Sequence, residues 1–390
     1  MKKLFVSLFA CAISVAAFAQ QPDWNVRLDY MLSNYEYERS HRAYDNSYTL
    51  HAVRLSPEAG VLIKQNDSIY HRVRVGIDLY HDMGSGISLP GALGELLYHY
   101  DIEVVTRRGG YIEAVAGVFP RQFTEGQYAG PFFDDDILFK DNNLEGVLFK
   151  YRNARFYTEA GLDWPGMKSL DRPESRERFR LLSSGTWNFT GDFNLGWTAS
   201  LYHYSMSSQL FNVVDNHMIN PWVEWAPQRG SAEGLRLNAG ALLTYQCDRK
   251  ASAQPSTPLG FYSRQSFSRW NLILDNHFYY GDDLMPFYES SYEGQVYGRD
   301  LYFGDLAFHT RFDHPSWADF LTLKYMPRLN DWLDICVAVS LRFGEASEAL
   351  QSPVFRGWQQ TLAVRVNLDA LRPHPAGTYR RNGSPGDYIL

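Results

Sequence analysis

Residues Leu144 to Trp164 read LEGVLFKYRNARFYTEAGLDW, and this stretch decides the fold. From Phe156 onward, Phe156, Thr158, Ala160, Leu162 and Trp164 share one parity, and Arg155, Tyr157, Glu159, Gly161 and Asp163 share the other. Side chains of a strand alternate between faces, so one face is apolar and the other charged. Val147, Phe149 and Tyr151 set the same pattern against Glu145, Leu148 and Lys150. Asn153 lies in the short break between the two runs, which makes the pair a hairpin.

The period-two pattern recurs outward in both directions. It runs through Trp24–Leu32, Val53–Ile63, Arg72–Tyr80, Tyr98–Val104 and Ile112–Val118 before the hairpin. After it come Arg178–Trp187, Leu195–Leu201, Ile219–Trp225, Leu235–Tyr245, Trp270–Tyr280, Leu306–Phe312, Leu321–Tyr325, Leu333–Phe343 and Trp358–Leu368. With the two strands of the hairpin, that predicts about sixteen strands (range 14–18) in one domain, an even number as in bacterial single-chain barrels. A secreted β-sandwich or propeller would also alternate. Two features favour a single transmembrane antiparallel up-and-down β-barrel. Trp and Tyr mark strand ends, as in interfacial girdles. Short connections such as Gln65–Asp67 and Arg107–Gly110 alternate with long ones, as periplasmic turns alternate with outer loops. The alternation breaks near Gly281–Gly298 and at Asp313–Pro315.

The ends and the composition agree. Met1-Lys2-Lys3, an apolar run to Phe18 and the Ala17-Phe18-Ala19 junction predict an export signal over 1–19, a barrel over 20–371 and a Pro/Gly-rich tail over 372–390. No later run is long and apolar enough for a membrane helix. The formal charge of −7 argues against a nucleic-acid partner. Cys247 and Cys336 remain after cleavage, and two cysteines make no disulfide framework.

The Ala-Phe-Ala-Gln junction, the dyad strands and the aromatic strand ends resemble the porin-like outer-membrane barrels of Bacteroides-type Gram-negative bacteria. The resemblance implies the outer membrane, with its lipid and small polar solutes as partners, and leaves a homo-oligomer open. It implies a channel for passive or substrate-selective passage. It also implies that the long acidic loop from Pro120 to Asn143, with Asp134, Asp135 and Asp136, folds inward as a constriction. The tail departs from the family, whose barrels end on an aromatic-ended last strand.

A charge on the lipid face costs about 2–4 kcal/mol at mid-membrane, so charged strand positions are expected inside. The pore-lining expectation is Arg54, Arg72, Arg74, Asp78, Asp101, Glu103, Glu113, Glu159, Asp163, Arg236, Arg342 and Arg365. Rings of charge set solute selectivity. The P-loop, Gly-x-Ser-x-Gly, His-Glu-x-x-His and Cys-x-x-Cys patterns are absent from the sequence. The expectation is therefore a non-enzyme with no catalytic set, no metal and no cofactor. Two alternatives stand beside it. One is a surface-binding or adhesion barrel. The other is a barrel-embedded lipid hydrolase using His203 and Ser205, which share a strand face but lack a visible third member.

Overall fold

The quoted hairpin forms between Asn143–Arg152 and Phe156–Gly166, with Phe149 opposite Ala160 and Lys150 opposite Glu159. Asn153 shapes its turn: the side-chain oxygen accepts the backbone N–H groups of Arg155 and Phe156, both at 2.9 Å. An Asn side chain that bonds its own following backbone is a local turn signal.

The structure is a computed structural model. It describes residues 20–371 apart from 38–46, 85–92, 108, 127, 129, 170, 173–174, 208–211, 229–233, 251–253, 293–294, 297, 328 and 351. The expected signal over 1–19 and tail over 372–390 lie outside the described residues.

Among the described residues, sixteen strands close into one antiparallel barrel. They are β1 (Gln20–Tyr37), β2 (Tyr48–Asn66), β3 (Ile69–Asp82), β4 (Leu93–Val105), β5 (Tyr111–Pro120), β6 (Asn143–Arg152), β7 (Phe156–Gly166) and β8 (Arg178–Asn188). Then come β9 (Phe193–Tyr204), β10 (Val214–Trp225), β11 (Leu235–Asp248), β12 (Leu259–Arg269), β13 (Leu272–Gly281), β14 (Ser316–Tyr325), β15 (Leu333–Gly344) and β16 (Phe355–Asn367). Each strand pairs with its sequence neighbours. β16 closes on β1, from Arg27 opposite Asn367 to Tyr37 opposite Gly357. The barrel is inside-out: Val75 is 59% exposed and its neighbour Arg74 only 5%. Apolar exposure on the outer face and polar burial on the inner one are what a lipid surround selects.

The strand count agrees with the sequence, but two strands trade places. Leu306–Phe308 is a short 3-10 turn, capped where the Asp305 side chain accepts the Ala307 N–H, and not a strand. It belongs to one long connection, 282–315, and the broken alternation near Gly281 is repaired by it. The missed strand is β12. Two of its outward positions hold Ser263 and Gln265, which hides the apolar face. The sequence reading also ran Trp270-Asn271 into a strand; both have positive φ (52° and 65°) and form the tight β12–β13 turn.

Long connections sit at one end of the barrel and short turns at the other, with Gln20 and the 3-10 turn Leu368–Leu371 at the short-turn end. Two long connections, 121–142 and 282–315, turn into the lumen. Their Phe123, Phe132, Phe133, Leu284, Tyr302 and Phe308 pack in one buried cluster against the wall residues Leu148, Leu182, Tyr202, Leu242, Tyr262 and Phe320. They are joined by the Asp134 N–H donating to the Phe303 carbonyl at 2.6 Å. The first segment carries the one-turn helix α1 (Asp135–Lys140). The lumen thus holds an apolar core of its own.

Candidate functional site

His203 is the next-to-last residue of β9, at the long-loop end of the barrel. Tyr202 and Tyr204 beside it are buried in the lumen, so strand alternation turns His203 outward. Directly opposite on β10 stands Asp215, also outward. His203 Nδ1 and Asp215 Oδ1 are 2.7 Å apart. From the far side, Arg249 just past β11 donates from Nε to Asp215 Oδ2, also at 2.7 Å. A carboxylate partner for His203, which the sequence did not show, is supplied by cross-strand register.

The pair sits inside an aromatic row. The His203 ring lies against Phe179 on β8, with centroids 5.0 Å apart, and Phe179 stacks on Trp164 of β7 at 5.3 Å. One step along β10, His217 stacks on Tyr245 of β11 at 5.9 Å. Aromatic rings at strand ends occupy the interface between acyl chains and headgroups. Ser205 continues the β9 ladder, its N–H donating to the Glu177 carbonyl at 2.9 Å, so it shares the outward parity of His203. No hydrogen bond joins the Ser205 hydroxyl to His203 among the described residues. Asp215 was missed because the strand predicted from sequence begins only at Ile219. Carried back from Trp225, the same parity runs through Val223, Pro221, Ile219 and His217 to Asp215.

Inside the barrel, each expected pore-lining residue is bound to another lumen group, in the set or outside it. Arg54 is bound to Asp78 and donates to the carbonyls of Phe139 (2.6 Å) and Lys140 (2.8 Å), where α1 ends. Arg72 meets Asp101 (3.0 Å) and Glu103 (3.1 Å), and Arg74 meets Asp23 and Glu58. Glu113 binds Lys150 at 2.6 Å. Glu159 accepts the N–H groups of Glu125 (2.8 Å) and Gly126 (2.9 Å), and Asp163 binds Arg121 at 3.3 Å. Arg236 pairs with Glu224, Arg342 with Asp305 and Arg365 with Asp29.

As a constriction the acidic loop would set Asp134 to Asp136 across a narrow gap from the early-strand arginines Arg54, Arg72 and Arg74; the structure places Asp134 and Asp135 elsewhere. The segment crosses the lumen, so Asp134 and Asp135 line a cavity of about 80 Å³ together with Arg264, Lys324 and Arg342 on the far wall. The side chain of Asp136 lies outside the described residues. A second histidine–aspartate pair, His277 with Asp275, borders the same cavity. A third, His309 with Asp283, lies in the inner segment 282–315. Cys247 and Cys336 are both free, and alternation puts them on opposite faces of the wall. No group of three or more candidate metal ligands occurs among the described residues.

Residues 19–302 match the model of a family described as lipid A 3'-O-deacylase-type. No curated protein matches the chain. Among solved structures, the chain is similar to a loop L8 deletion mutant of OmpT, an outer membrane protein of Vibrio cholerae. The TM-score is 0.51 at 11% identity, over 90% of this chain and 99% of that one. The trimer form of in-vitro folded OmpT from the same organism gives the same values: 0.51, 11%, 90% and 99%. That likeness is one of fold, a barrel of the outer-membrane type, and it leaves the narrower Bacteroides-type resemblance untouched. The family match spans well over half of the sequence: the chain belongs to the lipid A 3'-O-deacylase-type family. Membership overturns the expectation of a non-enzyme without catalytic residues, because the family is by description one of enzymes.

Proposed function

We propose that this member of the lipid A 3'-O-deacylase-type family hydrolyses an ester-linked acyl chain of a lipid A-class substrate, on the outside of its barrel, at His203. The observation that carries the reading is the outward His203–Asp215 pair, set in an aromatic row at the long-loop end. In the outer membrane of a Gram-negative cell, that end meets the outer leaflet. A lipid diffusing there reaches the wall without leaving the bilayer. The lumen, by contrast, is occupied by the inner segments.

In this reading His203 keeps its proton on Nδ1, donated to Asp215, and its Nε2 is the base. Nε2 takes the Ser205 hydroxyl proton as Oγ attacks the ester carbonyl. The tetrahedral intermediate then collapses, and the C–O bond to the substrate hydroxyl breaks. His203 returns the proton to that leaving oxygen. Water then gives a proton to the same nitrogen and attacks the acyl-serine carbonyl; the bond to Ser205 Oγ breaks, Oγ takes that proton from His203, and the fatty acid leaves. Phe179 and Trp164 offer an apolar bed for the chain being removed.

The test is fatty-acid release from lipid A-containing vesicles by the purified barrel. Loss of release in His203→Ala and in Ser205→Ala is expected. Release that persists in Ser205→Ala but not in His203→Ala makes water the nucleophile; release that survives His203→Ala removes this site.

A second reading keeps the passage of small polar solutes. Its support is the cavity between Asp134–Asp135 and Arg264, Lys324 and Arg342, whose opposed charges would act on a solute as a transverse field. In it, the ion-paired lumen residues from Arg54 to Arg365 set selectivity. A folded barrel that never conducts in planar bilayers ends that reading.

A further inference from the structure

The lipid-facing wall carries polar side chains where acyl chains should lie. On β12, β13 and β14 the outward positions include Ser263, Gln265, Asn276 and Asp319. The same faces carry the exposed Phe261, Leu274, Tyr280 and Leu323, while the intervening Asp275, Tyr279 and Phe320 are buried inward. The four polar groups form one row. Asn276 donates from Nδ2 to Gln265 Oε1 (2.9 Å) and to Asp319 Oδ1 (3.0 Å). Gln265 donates from Nε2 to Ser263 Oγ at 2.6 Å. The row consumes its amide donors internally and leaves a carboxylate at its end. Among the described residues, only Asn276 is hydrogen-bonded to Asp319.

Two strands further round, Gln360 on β16 is also outward, between Trp358 and Leu362, and is exposed. Its neighbours Gln359 and Thr361 point inward and are hydrogen-bonded there. The Gln360 amide has no hydrogen bond among the described residues. Between the two polar flanks runs β15, whose outward side chains are all apolar: Ile335, Val337, Val339, Leu341 and Phe343. Phe343 is paired with Asp319 on one side, and Val339 with Gln360 on the other. An apolar stripe is thus bordered by an acceptor on one flank and by an amide donor on the other.

Lipid tails satisfy neither group, and a charge turned to lipid destabilises a barrel. A two-fold axis along the membrane normal, crossing the stripe, resolves both: Asp319 and Gln360 stand four residues apart along β15, and a strand tilt of about 35–45° brings them toward one height. Such an axis carries each flank of one copy onto the opposite flank of the other, because an isologous interface is self-complementary. Asp319 of one copy then meets the partner's Gln360, twice, around a β15–β15 apolar contact. We propose that β15 with its two polar flanks is the interface of a homodimer within the membrane. The occupant is a second copy because both halves of the complement, donor and acceptor, stand on this one chain.

The test uses the full barrel in nanodiscs and in mild detergent, with mass read by light scattering. The parent is expected at twice the monomer mass, and Asp319→Leu with Gln360→Leu at the monomer mass. Heat-modifiable gel mobility confirms that the variant is folded. A second measurement does not depend on removing those groups. In a Cys247→Ser background, Val339→Cys should cross-link to a dimer under mild oxidation, whereas Val147→Cys, outward on β6, should not. A folded parent at monomer mass overturns the proposal, and so does equal cross-linking at both positions. Cover by lipid headgroups or by another protein would give the monomer result and count against it.

Discussion

Two histidine–aspartate pairs in this barrel share their chemistry and differ in where they stand. His203 and Asp215 lie on the outer wall; His277 and Asp275 lie on the inner one. In the lumen both imidazole nitrogens are engaged: Nε2 with Asp275 at 3.3 Å and Nδ1 with the Tyr262 hydroxyl at 2.6 Å. Asp275 is further clamped by Arg264 through two hydrogen bonds of 2.9 and 2.8 Å, with Lys324 at 3.6 Å. On the wall, only Nδ1 of His203 is hydrogen-bonded among the described residues. The inner pair is a knot of structural charges. The outer pair leaves one nitrogen, Nε2 of His203, uncommitted among the described residues. A pair becomes a candidate base through what its second nitrogen can reach, not through the pairing itself.

The largest expected effect separates the two directly. Removing a general base typically costs on the order of 10²–10⁴ in rate. His203→Ala should lower fatty-acid release from lipid A vesicles by about 10³-fold. His277→Ala should leave it within about twofold, since nothing places that ring near the bilayer. Equal losses in both variants would erase the distinction between the pairs.

Stability should sort them the opposite way. Asp275→Ala strips the carboxylate from Arg264 and Lys324. Breaking a buried pair by removing one partner costs about 3–5 kcal/mol, and lumen water beside the partly exposed Arg264 argues for the lower end, about 3 kcal/mol. Unfolding midpoints in denaturant, read by tryptophan fluorescence, should fall accordingly. Asp215→Ala, whose Arg249 partner is more than half exposed, should move the midpoint much less. A larger shift for Asp215→Ala would make the outer pair the structural one.

Asp215→Asn sharpens the comparison within the outer site. The amide still reaches His203 but favours the wrong tautomer, because it can donate to Nδ1 and leave the proton on Nε2. A loss of about 10²-fold in kcat, the low end of what general-base catalysis contributes, is expected with KM nearly unchanged. A change confined to KM would mean that Asp215 holds substrate rather than the imidazole.

Much of this was legible in the sequence, and the exceptions share a cause. The barrel was readable because period-two alternation is local and recurs in almost every strand. His203 and Ser205 were readable as residues two apart on one strand. Asp215 was not, because its partnership is made by register, twelve residues away and across a loop. β12 was hidden for the same reason that the outward row on β12 to β14 was hidden. Charge and amide were assumed to face the lumen, and Gln265, Asn276 and Asp319 do not. The inner segments follow no period at all. Their burial depends on the barrel being closed around them, as when Phe303 accepts the Asp134 N–H.

A third environment supplies the control with the smallest expected effect. His314, at the end of the connection before β14, is about half exposed, with Nε2 3.1 Å from Glu345 and Nδ1 3.0 Å from Asp313. It faces neither lipid nor lumen. Its hydrogen bonds to Glu345, then to Asp313, hold its pKa above the ordinary histidine value. A raised folded pKa fixes the sign: the tie between this loop and Glu345 is complete below the unfolded histidine pKa, about 6.5, and is lost as pH rises through the folded one. Both carboxylates are solvated, so the effect on overall stability should be slight. An NMR titration of the His314 ring should give a midpoint above that of the same ring in Glu345→Gln. Amide exchange in 345–350 should quicken above that midpoint in the parent only. Identical midpoints would show that a carboxylate in open water does not hold a histidine charged here.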